Sequence, residues 1–249
     1  MLKSFFDEHP ECAVAFSGGA DSAYLLYEAK LYARRFAAFY VKTAFQPMFE
    51  FEDALRFTRE HDIPLRVLLC DALSCEEIVS NPPDRCYHCK RRIFGAIAEA
   101  ARKAGFDTVL DGTNASDDAG DRPGMRALEE LRVLSPLRLA GLEKARVREL
   151  SREAGLFTWD KPAYACLATR IGTGRRIERR LLERTERAEA YLASLGFTDF
   201  RIRTLGETGL LQVTEDDMPL ARERFGEIRE RLCGPYADLL LDPEARHGQ

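Results

Sequence analysis

A parallel α/β sheet with helices on both faces, followed by a small C-terminal α+β domain, is the fold that the sequence predicts, and three observations predict it. Short apolar runs alternate with amphipathic stretches through the first half of the chain, as in successive βα units. A glycine turn, Ser17-Gly18-Gly19-Ala20-Asp21-Ser22, joins the first apolar run to the first amphipathic stretch. After a loop from Trp159 to Gly174 the order changes to helix, two short strands, helix and strand.

Taken in order, Ala13–Phe16 reads as a strand and Ala20–Ala33 as the helix after it. Arg35–Val41 is a second strand, followed by a helix over Glu50–His61 that stops before Pro64. Leu65–Cys70 is a third strand, Arg91–Ala104 a helix closed by Gly105, and Thr108–Asp111 a fourth strand. Ligands of such sheets bind beyond the carboxyl ends of the strands, so chemistry is expected in the turns that follow them. The second half offers a basic helix, Glu178–Leu195, stopped by Gly196, then strands at Phe200–Arg203 and Gly209–Val213. A helix over Met218–Leu232 and a strand at Leu239–Leu241 complete a domain expected to hold an antiparallel sheet. The boundary is placed near Thr173, giving domains 1–172 and 173–249, and the tail after Asp242 is expected to fray.

The composition excludes several classes. Hydrophobic residues make up 45% and charged residues 31% of 249, an ordinary globular mix. A net charge of -4 offers no global attraction for nucleic acid or an anionic membrane. No apolar run reaches the roughly 20 residues that span a bilayer. Met1–Pro10 mixes Lys3, Asp7 and Glu8 with aromatics and lacks a signal-peptide pattern, so a cytoplasmic address is expected. The seven cysteines are odd in number and not spaced as a disulfide framework; Cys12, Cys70, Cys75 and Cys233 read as small core or surface residues.

The hexapeptide Ser17–Ser22 suits a phosphate. Gly18 and Gly19 permit a tight turn whose N–H groups, with the positive end of the next helix, face an anion. Ser17 and Ser22 add hydroxyl donors, and Asp21 would repel phosphate unless a cation such as Mg²⁺ lies between them. No G-K-[ST] follows the glycines, so the turn is not a Walker loop, and it is not G-x-G-x-x-G.

Arg85-Cys86-Tyr87-His88-Cys89-Lys90 places a C-x-x-C beside cations, a spacing open to metal ligation, iron–sulfur ligation or redox pairing. His88 reads as an exposed loop residue. Cys166 lies between Lys161 and Arg170, cations able to stabilise a nucleophilic thiolate. Arg201 and Arg203 alternate along a strand and so share a face, where two guanidiniums can clamp a phosphate.

Ser17–Ser22 resembles the signature of the PP-loop ATP pyrophosphatases, which cleave ATP between its α- and β-phosphates to adenylylate a substrate. Leu110-Asp111-Gly112-Thr113-Asn114 is similar to the segment that lines the nucleotide site there, and Ser135-Pro136-Leu137 with Lys144 and the helix Val147–Ala154 is a pattern common in the synthetase members. Within that superfamily Asn81–Lys90, Gly120-Asp121-Arg122-Pro123-Gly124, and Trp159-Asp160-Lys161-Pro162 through Cys166-Leu167-Ala168-Thr169-Arg170 resemble the LarE family of ATP-dependent sulfur transferases, which act in nickel-pincer cofactor biosynthesis. Arg201-Ile202-Arg203 fits as well, so the resemblance spans nearly the whole chain.

The resemblance implies an adenine nucleotide alpha hydrolase-like (Rossmann-like) fold, and ATP bound by Ser17, Gly18, Gly19, Asp21, Ser22, Asp111, Gly112, Thr113 and Asn114. It implies a small-molecule substrate, a pyridinium dicarboxylate mononucleotide, held by Arg201, Arg203, Arg170 and Lys90. Each carboxylate would be adenylylated and then converted to a thiocarboxylate. The sulfur would come from Cys166 itself, leaving dehydroalanine, or from a sulfide on a [4Fe-4S] cluster held by Cys86, Cys89 and Cys166. It further implies a homo-oligomer, a hexamer built through the small domain. Where the family reads A-R-I-E, this chain has Gly209-Leu210-Leu211-Gln212, so a carboxylate implied for an inter-subunit metal is replaced by an amide.

Three other readings compete. A tRNA-thiolating PP-loop enzyme would use the arginines around 170–187. Against it, Glu178, Glu183 and Glu186 interleave with them, and the phosphate loop begins at Ser17 with no RNA-binding domain expected ahead of it. An amide-forming synthetase leaves the cysteines without a role. A zinc-dependent nucleotide-sensing module would bind zinc at the C-x-x-C and release no pyrophosphate.

Overall fold

The structure, a computed structural model, describes residues 2–117 and 122–246. Gly120 and Asp121 of the segment Gly120–Gly124 lie outside the described residues. Along the chain, α1 (Lys3–Glu8), β1 (Glu11–Ala15), α2 (Ala20–Tyr32), β2 (Arg35–Lys42), α3 (Met48–Glu60) and β3 (Leu65–Leu69) lead through a short α4 (Glu76–Val79) to the long α5 (Arg85–Lys103). There follow β4 (Val109–Leu110), α6 (Arg122–Glu130), α7 (Pro136–Leu139) and α8 (Lys144–Glu153). Finally come α9 (Arg179–Ser194), β5 (Phe200–Leu205), β6 (Thr208–Val213), α10 (Met218–Leu232) and β7 (Asp238–Leu241).

Two compact units divide these elements. The first is Met1–Ala72 with Asp84–Lys161; the second is Leu73–Pro83 with Pro162–Gln249. The sequence places the change of architecture near Thr173. The units change at Pro162, within the same loop, and the stretch 73–83 joins the second unit.

In the first unit four parallel strands run in the order β3-β2-β1-β4. β1 is central, its Val14 opposite Ala38 on one side and Leu110 on the other. Successive side chains of a strand face opposite ways. Cys12 and Val14 accordingly enter a core with Tyr40, Leu25, Phe57 and Val147, while Ala13 and Ala15 enter a second core with Phe39, Ile97, Ala101 and Phe106. Being covered on both faces is why this strand reads as a continuous apolar run. Burial pushes the Cys12 thiol up to about 12, so it is a core residue without thiolate chemistry. The predicted α/β class holds.

In the second unit β5 and β6 form an antiparallel hairpin with Arg203 opposite Leu210. β7 pairs with β6 in parallel, Gly209 opposite Leu239. The sheet is therefore mixed, where the sequence suggested an antiparallel one. The last strand returns through α10, and a helical crossover delivers a strand in parallel. α9 and α10 cover the sheet through Ala188, Leu192, Ala221 and Ile228, which pack on Ile202, Leu211 and Val213.

Two further expectations are corrected. The helix expected from Arg91 begins at Arg85, directly after Pro82-Pro83, because nothing from Cys86 to Lys90 breaks a helix; His88 is thus helical, 3.3 Å from Asp84. The tail does not fray at Asp242: the Arg246 amide donates to the Val213 carbonyl at 2.9 Å, and its side chain pairs with Asp199.

Candidate active site

The Ser17–Ser22 turn leaves the carboxyl end of β1 and enters α2 with Gly19 as the cap residue, which supplies no side chain to the helix amides. Those first amides are open to an anion. The loop is knitted internally. Ser17 and Ser22 hydroxyls lie 3.0 Å apart, the Ser22 hydroxyl donates to the Gly19 carbonyl at 3.1 Å, and the Gly19 amide donates to Ser17 Oγ at 3.3 Å. Gly18 has φ +82, and a Cβ there would stand 2.8 Å from the Glu50 carbonyl oxygen. A residue other than glycine would be strained in backbone and crowded in space.

Beside the loop lies a cavity of about 350 Å³. Ser17, Gly19 and Ser22 line one end; Phe39, Val41, Phe94 and Ile97 form an apolar wall. It sits at the carboxyl ends of β1 and β4, where connections leave the sheet in opposite directions. A polar anion site opening on an apolar slot suits a nucleotide.

Acidic residues line the same cavity. Asp111 accepts from Ser135 Oγ at 2.6 Å and from Thr113 Oγ1 at 2.5 Å. Burial pushes its carboxyl above the usual range, opposed by those two bonds and by the charge of Lys90. Burial and the nearby Asp117 raise Asp21 as well, and its Oδ1 is sealed from solvent with no hydrogen-bond partner. An orphan carboxylate oxygen beside a second carboxylate fits a divalent cation. Asn114 is fully buried; its Oδ1 accepts from the Ser116 and Asp117 amides at 2.8 and 3.0 Å and shapes the turn that presents Asp117. Gly112 touches the start of α2, since a Cβ there would lie 2.7 Å from the Ser22 amide nitrogen. Of the nine residues expected to bind ATP, Ser17, Gly19, Asp21, Ser22, Asp111, Gly112 and Thr113 line this cavity, whereas Gly18 and Asn114 do not line it.

Lys161 is not where the sequence suggested. Its ammonium meets Glu50 at 2.9 Å, Asp53 at 2.6 Å and the Gly18 carbonyl oxygen at 3.2 Å, against the phosphate loop. Neither acid carried a sequence signal, because both read as polar positions on an amphipathic helix.

Cys86 and Cys89 occupy the first turn of α5, three residues apart and on one helix face, with Cys86 Sγ 3.7 Å from an Arg85 guanidinium nitrogen. Both are half-buried and outside any disulfide, as is Cys166. That donor set suits cluster ligation by chemistry. Cys86 and Cys89 belong to the first unit and Cys166 to the second. Among the described residues no group of three or more Cys, His, Asp or Glu side chains is gathered closely enough to hold a metal ion.

In the second unit Cys166 precedes a short 3₁₀ turn, Leu167–Arg170, and the surrounding loop is organised by Glu189 of α9. Glu189 accepts from Arg170 Nε at 2.8 Å, from Tyr164 Oη at 2.5 Å and from the Ile202 amide at 3.0 Å. Arg170 also donates to the Ala165 carbonyl at 3.2 Å and to Thr169 Oγ1 at 2.9 Å. Its guanidinium therefore frames the cysteine from inside. Burial opposes its charge, but Glu189, Tyr164 and Cys166 hold its pKa above the ordinary value. The exposures of the pair, 1% and 5%, make this a buried ion pair. Glu189→Gln is expected to cost about 3–5 kcal/mol by stranding a buried guanidinium. A urea titration followed by circular dichroism checks this; an unchanged midpoint would contradict it.

Arg201 and Arg203 lie on β5 near Arg170. Burial and the neighbouring Arg170 charge push both down, and for Arg201 the charge of Arg203 adds to this. Arg203 donates to Gln212 Oε1 at 3.0 Å and to the Thr169 carbonyl at 2.6 Å, and Gln212 donates onward to Asp242 at 2.8 Å. Gln212 is a bridge within the unit. Asn81 also serves this unit: its Nδ2 donates to the Ile171 and Gly172 carbonyls at 3.2 and 2.8 Å. The Asn81–Lys90 segment is therefore split between the units.

Among the described residues no helix is long and apolar enough to cross a membrane. No family model matches the chain. It is 34% identical to an uncharacterised protein of Synechocystis over 82% of this chain and 76% of that one. It is 28% identical to an uncharacterised protein of Methanocaldococcus jannaschii, over 92% of this chain and 87% of that one. Over 92% of its length, and 84% of the relative's, it is 31% identical to the pyridinium-3,5-bisthiocarboxylic acid mononucleotide synthase of Lactiplantibacillus plantarum. By its identity to that synthase over most of both chains, the chain belongs to the LarE family.

Proposed function

We infer that the protein is an ATP-dependent sulfur transferase that converts the carboxylates of a pyridinium dicarboxylate mononucleotide to thiocarboxylates, as the product named for the Lactiplantibacillus relative suggests. The observation that carries the reading is the phosphate loop opening on an apolar slot, with paired carboxylates beside it. A substrate carboxylate oxygen attacks the α-phosphorus of ATP; the bond to the bridging oxygen breaks, and pyrophosphate leaves with the electron pair. Loop amides and the Ser17 and Ser22 hydroxyls receive that charge. Mg²⁺, which Asp21 and Asp117 would hold, supplies charge neutralisation when bound.

The acyl adenylate is then open to sulfur. The Cys166 thiolate attacks the acyl carbon and AMP departs with its electron pair. Removal of the Cys166 α-proton and cleavage of its Cβ–S bond leave the sulfur on the product and dehydroalanine in the chain. Arg201 and Arg203, whose charges are opposed by burial and by the neighbouring Arg170, offer the substrate phosphate a site that relieves both.

A second source of sulfur is favoured by one observation, the placement of Cys86 and Cys89 on a single helix face. With Cys166 they would hold a [4Fe-4S] cluster, which supplies inorganic sulfide when bound. Protein purified without oxygen distinguishes the two. About four irons per chain, lost in Cys166→Ala and in Cys86→Ala or Cys89→Ala, is expected for the cluster. Iron-free protein that loses one H₂S from its mass after a single turnover identifies Cys166 as the donor. Absence of substrate-dependent pyrophosphate release would sink the whole reading.

A further inference from the structure

Lys161 is the last residue of the first unit, yet its side chain reaches back to the first glycine of the phosphate loop. Three oxygens surround its ammonium: Glu50 at 2.9 Å, Asp53 at 2.6 Å and the Gly18 carbonyl at 3.2 Å. The Lys161 and Glu50 side chains are only 12% and 11% exposed. Two carboxylates already neutralise the one ammonium, so it is not a free charge for a phosphate. What it controls is a carbonyl.

In a trans peptide the C=O and N–H point in opposite directions. The Gly18 carbonyl belongs to the peptide whose N–H is that of Gly19. Drawing that oxygen toward Lys161 turns the Gly19 N–H the other way, to the side on which Gly19 lines the cavity. On that side the Gly19 N–H meets Ser17 Oγ at 3.3 Å, a long bond beside the cavity. The shorter Lys161 contact on the carbonyl is thus the second hold on a peptide that glycine at φ +82 otherwise leaves with little preference. Glu50 reinforces the arrangement from its backbone, its carbonyl closing the space where a Gly18 side chain would stand.

We propose that Lys161, clamped by Glu50 and Asp53, is a positioning residue that holds the Gly18–Gly19 peptide with its N–H toward the phosphates of ATP. This rests on the cavity being the ATP site. The substitution that decides it is Glu50→Gln. Removing a negative charge beside an anion site ordinarily tightens anion binding. If Glu50 acts by holding Lys161 on the Gly18 carbonyl, the same substitution weakens it.

Titrating the full chain with Mg²⁺ and α,β-methylene-ATP, which cannot be cleaved at the α–β position, tests this directly. Weakening of about tenfold or more is expected for Lys161→Met, with weakening in the same direction for Glu50→Gln, while Lys161→Arg stays close to wild type. Hydrogen exchange in a peptide spanning residues 16–22 should quicken in Lys161→Met and Glu50→Gln without nucleotide. Equal or tighter binding by Glu50→Gln, with only Lys161→Met impaired, would make Lys161 a direct phosphate ligand and overturn the proposal. Unchanged binding and exchange in every variant would overturn it too. A wild-type chain that binds no nucleotide would instead remove the ATP reading beneath it. Should Lys161→Met fail to fold, Glu50→Gln and Lys161→Arg carry the same decision.

Discussion

Cys166→Ala is expected to stop thiocarboxylate formation, with product falling at least about 1,000-fold, because no other group takes the place of a lost nucleophile or sulfur-bearing ligand. The substitution should leave the first half-reaction intact. The phosphate loop, the acids and the apolar wall all belong to the first unit, whereas Cys166 belongs to the second. Pyrophosphate release driven by ATP and substrate should therefore continue until the adenylate accumulates. Cys86→Ala and Cys89→Ala discriminate further: with a sacrificial Cys166 they retain one turnover, and with a cluster they lose iron and activity together. Thiocarboxylate made by Cys166→Ala at the wild-type rate would exclude this residue from the sulfur step.

Gly112→Ala is expected to damage both stability and nucleotide binding. The added methyl would stand 2.7 Å from the Ser22 amide nitrogen, 2.8 Å from its Cα and 3.1 Å from its Cβ. Two of these are backbone atoms at the start of α2, and a helix terminus anchored in a sheet does not step aside cheaply. Either the turn after β4 or the first turn of α2 must move, at about 1–3 kcal/mol of overpacking. Both carry residues of the proposed ATP site, so MgATP affinity should fall about tenfold or more with the displacement. Gly95→Ala on α5 is the control, since a Cβ there meets nothing within 4 Å. It should stabilise the helix by about 0.5–1 kcal/mol. Wild-type urea midpoint and affinity in Gly112→Ala would refute the close-contact account.

What the sequence disclosed was local. Ser17–Ser22 and Asp111–Asn114 each assemble within a few residues after a strand, so composition and order are enough to mark them. The remainder depended on distance along the chain. Lys161 and Glu50 are 111 residues apart, Asn81 and Gly172 are 91 apart, and neither pairing leaves a pattern in either segment. Glu189 carried no signal of its own on a helix where Glu178, Glu183 and Glu186 interleave with arginines. It is only 4% exposed, because the loop around Cys166 closes over it. The start of α5 was misplaced for a different reason. Cysteine and histidine have modest helix propensity, and a C-x-x-C suggests a ligand loop, but proline residues at 82 and 83 followed by an unbroken run favour helix from Arg85.

The exchange of the 73–83 stretch between units has a consequence for how the protein is made. As the chain leaves the ribosome, everything the first unit contains has emerged once Lys161 is out, whereas Leu73–Pro83 has been synthesised long before its own partners. For the interval in which residues 162–246 are still to come, Asn81 has no Ile171 or Gly172 carbonyl to hold, and Val79 has no Ile177 amide to receive. The nascent first unit must carry this stretch as an undocked loop. A fragment ending at Lys161 would hold the whole first unit with that loop permanently undocked, and one beginning at Pro162 would lack it, so cutting the gene at that point leaves the second unit incomplete.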